Sequence, residues 1–196
     1  MAIPCDLLKT NYNRMKTRTI LLWILALIIA DQSIKIVINS YYLDCQFDIV
    51  PSLLEFKPTF NVQHSWVNNL INSYFGLNVG LLPHVILYLL IGILASAYYS
   101  YYRNSIRENT KLLDTSFIFL NAVLICALIG NLIWNKGTLD YIYLKPLFVF
   151  DLKDTYADVV IVLFMIYAIK NRAQLNLIKN RDVFLYVKSR LIKNKK

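Results

Sequence analysis

Four long apolar runs, over residues 19–38, 82–102, 115–134 and 155–169, constrain this chain before anything else does. A helix that crosses a bilayer needs roughly 20 mostly apolar residues, and the runs at 82–102 and 115–134 contain no Asp, Glu, Lys or Arg. With 57% of all residues hydrophobic, the chain is too apolar for a soluble domain of this size and reads as a membrane protein. A secretory signal over residues 1–30 is the lesser reading. The run "TILLWILALIIA" continues through "IKIVI" to the length of a span, whereas a signal's apolar region stops after about 7–15 residues.

The formal charge of +9 is distributed by topology. Lys9, Arg14, Lys16 and Arg18 precede the first run, Arg103, Arg107 and Lys111 separate the second from the third, and a basic tail follows from Lys170. The connections 39–81 and 135–154 hold only Lys57, Lys136, Lys145 and Lys153, offset by acids. Four spans and the positive-inside rule then put both termini in the cytoplasm and both connections outside. The basic charge is matched to anionic lipid, with no call for nucleic acid. The expected fold is an all-α membrane protein of four spanning helices, with a small extracytoplasmic β and amphipathic-helix element between helices 1 and 2. Its segments are a cytoplasmic 1–18, a four-helix unit 19–170 and a basic cytoplasmic tail 171–196. Within 39–81, "FDIVPSLLEFKPTFNV" alternates as short strands do, and Trp66, Leu70, Ile71 and Tyr74 recur at helical spacing. That helix either lies on the outer leaflet or plugs the bundle.

Several chemistries are absent from the pattern. Cys5, Cys45 and Cys126 fall in three different segments, and neither CxxC nor HExxH occurs, so neither a disulfide framework nor a zinc site is indicated. No cofactor motif is present, and a monomer is the expected state.

Polar groups inside the apolar runs carry the functional signal. A charge at the centre of a spanning helix costs about 2.5–3.5 kcal/mol on insertion scales. With about 1.5 Å of rise per residue, Asp31 and Lys35 lie in the outer part of span one and Asn131 near the outer end of span three. Asp140 stands just beyond that end, and Asp158 lies one turn inside span four. Singly, each has a bland role: Asp31 and Lys35 as a neutralising i, i+4 pair, Asn131 as an interhelical hydrogen bond, Asp158 as an acid at a helix start. Together they occupy one outer third of the bundle. Two carboxylates held close do not both ionise readily, and such a pair supplies a general base and a general acid without a metal.

These residues resemble the motifs of bacterial lipoprotein signal peptidase, the signal peptidase II family. "DQSIK" resembles its D-Q-x-x-K, and "FNVQHSW" its N-x-G-A-A-F segment with Asn61 as the asparagine. "GNLIWNKGTLDYI" is similar to G-N-x-x-D-R followed by G-x-V-x-D-F, matching Gly130, Asn131, Gly137 and Asp140. "TYADVVIV" is similar to N-x-A-D-x-x-I, matching Ala157 and Asp158. Trp134 and Asn135 stand where the family has D-R, Gln63, His64 and Ser65 where it has G-A-A, and Thr155 where it has Asn. The resemblance implies an aspartyl endopeptidase of the bacterial inner membrane, cutting lipid-modified prolipoproteins just before the diacylglyceryl cysteine. It implies Asp140 and Asp158 as the catalytic pair, Asn131 and Asn61 as orienting groups, and Asp31 and Lys35 as supports. A non-catalytic relative that binds lipoprotein precursors, or a small transporter subunit, is the alternative.

Overall fold

Hydrocarbon offers the backbone no hydrogen-bond partners, so the apolar runs satisfy themselves as helices. The structure, a computed structural model, describes residues 14–63, 65–105, 110–134, 136–177 and 180–193. Cys5, Lys9, His64, Arg107 and Asn135 from the sequence reading lie outside the described residues.

The long helices are α1 (Thr17–Val37), α3 (Leu81–Ser105), α4 (Lys111–Leu132) and α5 (Leu152–Lys170), with a short α2 (Trp66–Phe75) before α3 and α6 (Arg172–Leu177) and α7 (Asn180–Lys193) in the tail. Among the described residues, three helices are long and apolar enough to cross a membrane: α1 with the π-helical turn that extends it to Tyr42, α3, and α4. The expected fourth, α5, falls outside that set, and it carries Lys153, Asp154 and Asp158 in its first two turns. On α3, Leu82, Leu87, Ile93 and Leu94 are each more than half exposed, an outward apolar surface that suits lipid.

Helix α4 is the hub, packing on α1, α3 and α5. Its buried residues include Ser116, Ala122, Cys126, Ala127 and Gly130, small side chains that let helix backbones approach where no hydrophobic effect drives them together. At one end of the bundle Asp114 is fully buried. It accepts bonds from the Met15 backbone N–H (2.9 Å), the Tyr99 hydroxyl (2.7 Å) and the Thr110 hydroxyl (3.1 Å), with Arg103 Nε at 3.5 Å.

A four-stranded antiparallel sheet, β1 (Phe47–Val50), β2 (Leu54–Asn61), β3 (Thr138–Leu144) and β4 (Phe148–Phe150), covers the opposite end in the order β1-β2-β3-β4. The expected strands between the first two spans are β1 and β2. The expectation placed no strands between helices α4 and α5, yet half the sheet comes from there, because β2 would otherwise expose an unpaired edge. Pro58 lacks an N–H and sits where the β2–β3 register shifts, between Phe56 and Thr59. Beneath the sheet, Leu139 and Tyr141 bury against Ile38, with Phe56, Phe60 and Trp134 around them.

Helix α2 forms where the helical spacing predicts it. Ser65 caps it by accepting from the Asn68 N–H. The Asn68 side chain in turn donates to the Gln63 carbonyl (2.8 Å) and Asn78 (3.1 Å) and accepts from the Val79 N–H (2.9 Å). Tyr74 and Phe75 at its far end are 79% and 74% exposed, as aromatic side chains at a headgroup layer would be.

Candidate active site

Strand β3 and the start of α5 meet under the sheet and bring carboxylates together there. Asp140 lies on β3 opposite Thr59 of β2 and is buried. Helix α5 begins at a capping box in which Asp151 Oδ1 accepts from the Asp154 N–H (3.2 Å) and Asp154 Oδ2 accepts from the Asp151 N–H (3.1 Å). This reciprocal cap satisfies two amides that the helix itself leaves orphaned, and it aims both acids at β3. One oxygen from each of Asp140, Asp151 and Asp154 lies within 4.8 Å of the others. They are close enough to share a cation, and the cation they share is the Lys153 ammonium, 3.3 Å from Asp140, 3.0 Å from Asp151 and 3.3 Å from Asp154.

A second lysine backs the group. Lys35 on α1 is fully buried between Asp31 (2.9 Å) and Asp151 (2.6 Å). The pair expected from i, i+4 spacing is therefore present, and Asp151 joins it. Gln32 donates to Asp31 at 2.8 Å and accepts from the Trp134 indole at 3.1 Å. Trp134, in the place of the family's acidic D, thus ties the end of α4 to α1. The Asn61 side chain donates its amide N–H to Asp140 Oδ2 (3.2 Å) while its Oδ1 accepts from the Gln63 N–H (3.0 Å), so its orientation is held from behind. Asn131, near the end of α4, donates to the Ala127 carbonyl one turn back (2.9 Å).

Two glycines let these segments close. Gly137 has φ of +93°, and a Cβ there would run into the Asn61 carbonyl, so only glycine turns the chain from α4 into β3 beside Asn61. A Cβ on Gly130 would sit 2.7 Å from the Thr138 hydroxyl.

Asp158 stands apart. It lies on α5 about 6 Å further along the axis than Asp154, is exposed, and is not one of the three converging carboxylates. The apolar pattern starts this helix at Thr155, whereas it begins at Leu152 with Asp151 as its cap, so Asp151 and Asp154 are absent from the expected site. The missed signal is local: Asp-x-x-Asp just before an apolar run is a helix-start signature, and it has the Asn-to-Asp spacing of N-x-A-D, four residues before the match at 155–158, with Asp151 in the place of the asparagine.

Electrostatics separates Asp140 from Asp151. Burial pushes the Asp140 carboxyl up to about 7; the charges of Asp151 and Asp154 add to that rise, while Lys153 and the Asn61 hydrogen bond oppose it. Burial also works against ionisation of Asp151, but the ammonium groups of Lys153 and Lys35 outweigh it and hold that carboxyl below the usual range. Asp154 is the open member, its side chain 44% exposed against 6% for Asp140. A proton-holding buried acid beside an accessible one is an arrangement that can both accept and donate protons.

A helical membrane protein whose capping sheet covers a buried cluster of carboxylates and lysines is the class these features define. The sequence model of the family described as "Signal peptidase (SPase) II" matches residues 23–170, and the chain belongs to that peptidase family of bacterial integral membrane proteins. Two solved structures of bacterial membrane enzymes, determined by the in meso method, share the fold. One superposes with a TM-score of 0.62 at 15% identity over 84% of this chain and 96% of its own. The other has a TM-score of 0.61 at 16% identity over 83% and 99%. No curated protein matches the sequence.

Proposed function

We propose that this chain is an aspartic endopeptidase that removes signal peptides from lipid-modified prolipoproteins, with Asp140 and Asp154 as the working pair. The observation that carries the reading is their approach across the β3–α5 junction, one carboxyl buried and the other open. Asp158 is left out of the pair because it is exposed and is not among the carboxylates that converge there.

In the resting site one proton is retained by the pair, chiefly on Asp140. The ionised partner, Asp154, takes a proton from water as the water attacks the scissile carbonyl. Asp140 gives its proton to the developing oxyanion, forming a tetrahedral diol; as the C–N bond breaks, Asp154 passes its proton to the departing amine and a diol hydroxyl returns one to Asp140 as the new carboxyl forms, restoring the resting state. The pair titrates as a unit. Asn61 fixes the Asp140 carboxyl, and Asp31, Lys35 and Asp151 lock α1 to the head of α5 so that the pair keeps its spacing. Cleavage falls before the diacylglyceryl cysteine. The exposed aromatic end of α2 would rest where the lipid meets the peptide. Both termini lie in the cytoplasm, α5 is the fourth span, and the sheet faces outward, in accord with the basic ends and the acid-balanced connections.

The test is cleavage of a synthetic lipidated precursor by the purified protein in detergent. Asp140→Asn and Asp154→Asn are each expected to lower kcat by roughly 100-fold or more, the usual worth of a positioned acid or base, and Asp158→Asn to leave it within a few-fold. An inactive Asp158→Asn beside an active Asp154→Asn would return the role to Asp158.

A further inference from the structure

Among the described residues, the ammonium of Lys153 is the one group that touches all three carboxylates of the cluster, and the catalytic scheme above leaves it without a task. It sits 3.3 Å from Asp140 and 3.3 Å from Asp154, bridging β3 and α5, and 3.0 Å from Asp151. Its side chain is only 14% exposed. A structural counter-ion for Asp151 is already supplied by Lys35 at 2.6 Å, so Lys153 is surplus to that purpose. An ammonium that bridges two carboxylates stabilises their ionised forms, and at this range an opposite charge moves a carboxyl by about 1–3 pH units.

We propose that Lys153 is a positioning residue of the site, a resident cation that holds the Asp140 and Asp154 carboxylates at their working separation and sets the pH at which the pair gives up its shared proton. The proposal rests on the reading of Asp140 and Asp154 as the catalytic pair. Every facing element contributes a group to this balance. Asp140 comes from β3, Asp151 and Asp154 from the head of α5, and Asn61 as a neutral donor from β2. Asp31 and Lys35 of α1 act through Asp151. On α3, the Tyr88 phenol lies within electrostatic range of both Lys153 and Asp154. Among these, Lys153 is the only cation in contact with both members of the pair, so removing it leaves their mutual repulsion without a bridging charge.

The measurement is the pH profile of kcat/KM for the full-length protein on a lipidated precursor. Lys153→Met removes the charge, Lys153→Gln removes it while keeping two N–H donors, and Lys153→Arg retains it. Both neutral variants should move the alkaline limb upward by about 1–3 pH units, and Lys153→Arg should leave it near that of the parent. An unmoved limb in either neutral variant that folds overturns the proposal, because loss of a merely structural contact lowers activity without displacing the limb. A companion titration of the Asp140 carboxyl by infrared difference spectroscopy, in parent and Lys153→Gln protein, needs no turnover. If the parent cleaves nothing while the carboxyl titration shifts upward in Lys153→Gln, the peptidase reading fails and the electrostatic role of Lys153 stands. If the carboxyl does not shift, the role of Lys153 fails whatever the activity.

Discussion

Asp140 shows how burying one carboxyl makes its contribution to stability depend on pH. Its carboxyl ionises near 7 in the folded protein instead of near 3.8. Between those values the native state holds a proton that the unfolded chain releases. Its contribution therefore favours folding most at low pH and is lost as pH rises through this window. Asp140→Asn lacks the proton and the penalty. Its melting temperature in detergent should gain on that of the parent from pH 4 to pH 8, by the equivalent of roughly a few kcal/mol at about 1.4 kcal/mol per pH unit. A difference in melting temperature that stays flat with pH would mean that burial does not raise this carboxyl. Gly137 makes the complementary case for backbone. Gly137→Ala forces a Cβ onto the Asn61 carbonyl at positive φ, which costs about 1–3 kcal/mol and displaces the side chain that holds Asp140. Thermal melts and cleavage assays should both register it, the second more strongly.

At the scale of elements, the start of α5 does two jobs with one residue. Asp151 caps the helix and also neutralises the buried Lys35. Replacing it separates the two. Asp151→Asn keeps a good cap acceptor and removes the charge, whereas Asp151→Ala removes both, so Ala should be the less stable by about 1 kcal/mol, the worth of an N-cap. Chemical denaturation in micelles reads the difference, and equal losses would show that the charge alone matters. The capping box also explains why the apolar pattern passes over Asp151 and Asp154. Periodicity locates the lipid-facing body of a helix, but the first turn is polar, so hydropathy begins the segment one turn late. That turn carries Asp154.

For the whole molecule, two polar knots hold the ends of an otherwise apolar bundle: the Asp114 cluster at one end and the carboxylate–lysine cluster under the sheet at the other. Asp114→Ala strips the buried acceptor from three donors and a partner from Arg103, and should cost about 3–5 kcal/mol while kcat per folded molecule is unchanged. Loss of kcat in folded protein would show the two ends to be coupled. Orientation is testable with the natural cysteines. Cys45 is exposed beside the sheet and Cys126 is buried in α4, so a membrane-impermeant maleimide added to spheroplasts should label Cys45 without permeabilisation. The apolar runs, the charge asymmetry and the ordered motifs were enough, as sequence, to determine a membrane-embedded helical protein of the signal peptidase II type and to single out Asp31, Lys35, Asn61 and Asp140. These features are local, and composition and spacing record them directly. Only the tertiary structure decided that β3 and β4 complete the sheet begun by β1 and β2, and that Asp151, Lys153 and Asp154 rather than Asp158 gather around Asp140. Strand pairing across distant segments, and the one helical turn that separates Asp154 from Asp158, depend on how α5 docks against β3. No pattern within either segment encodes that contact.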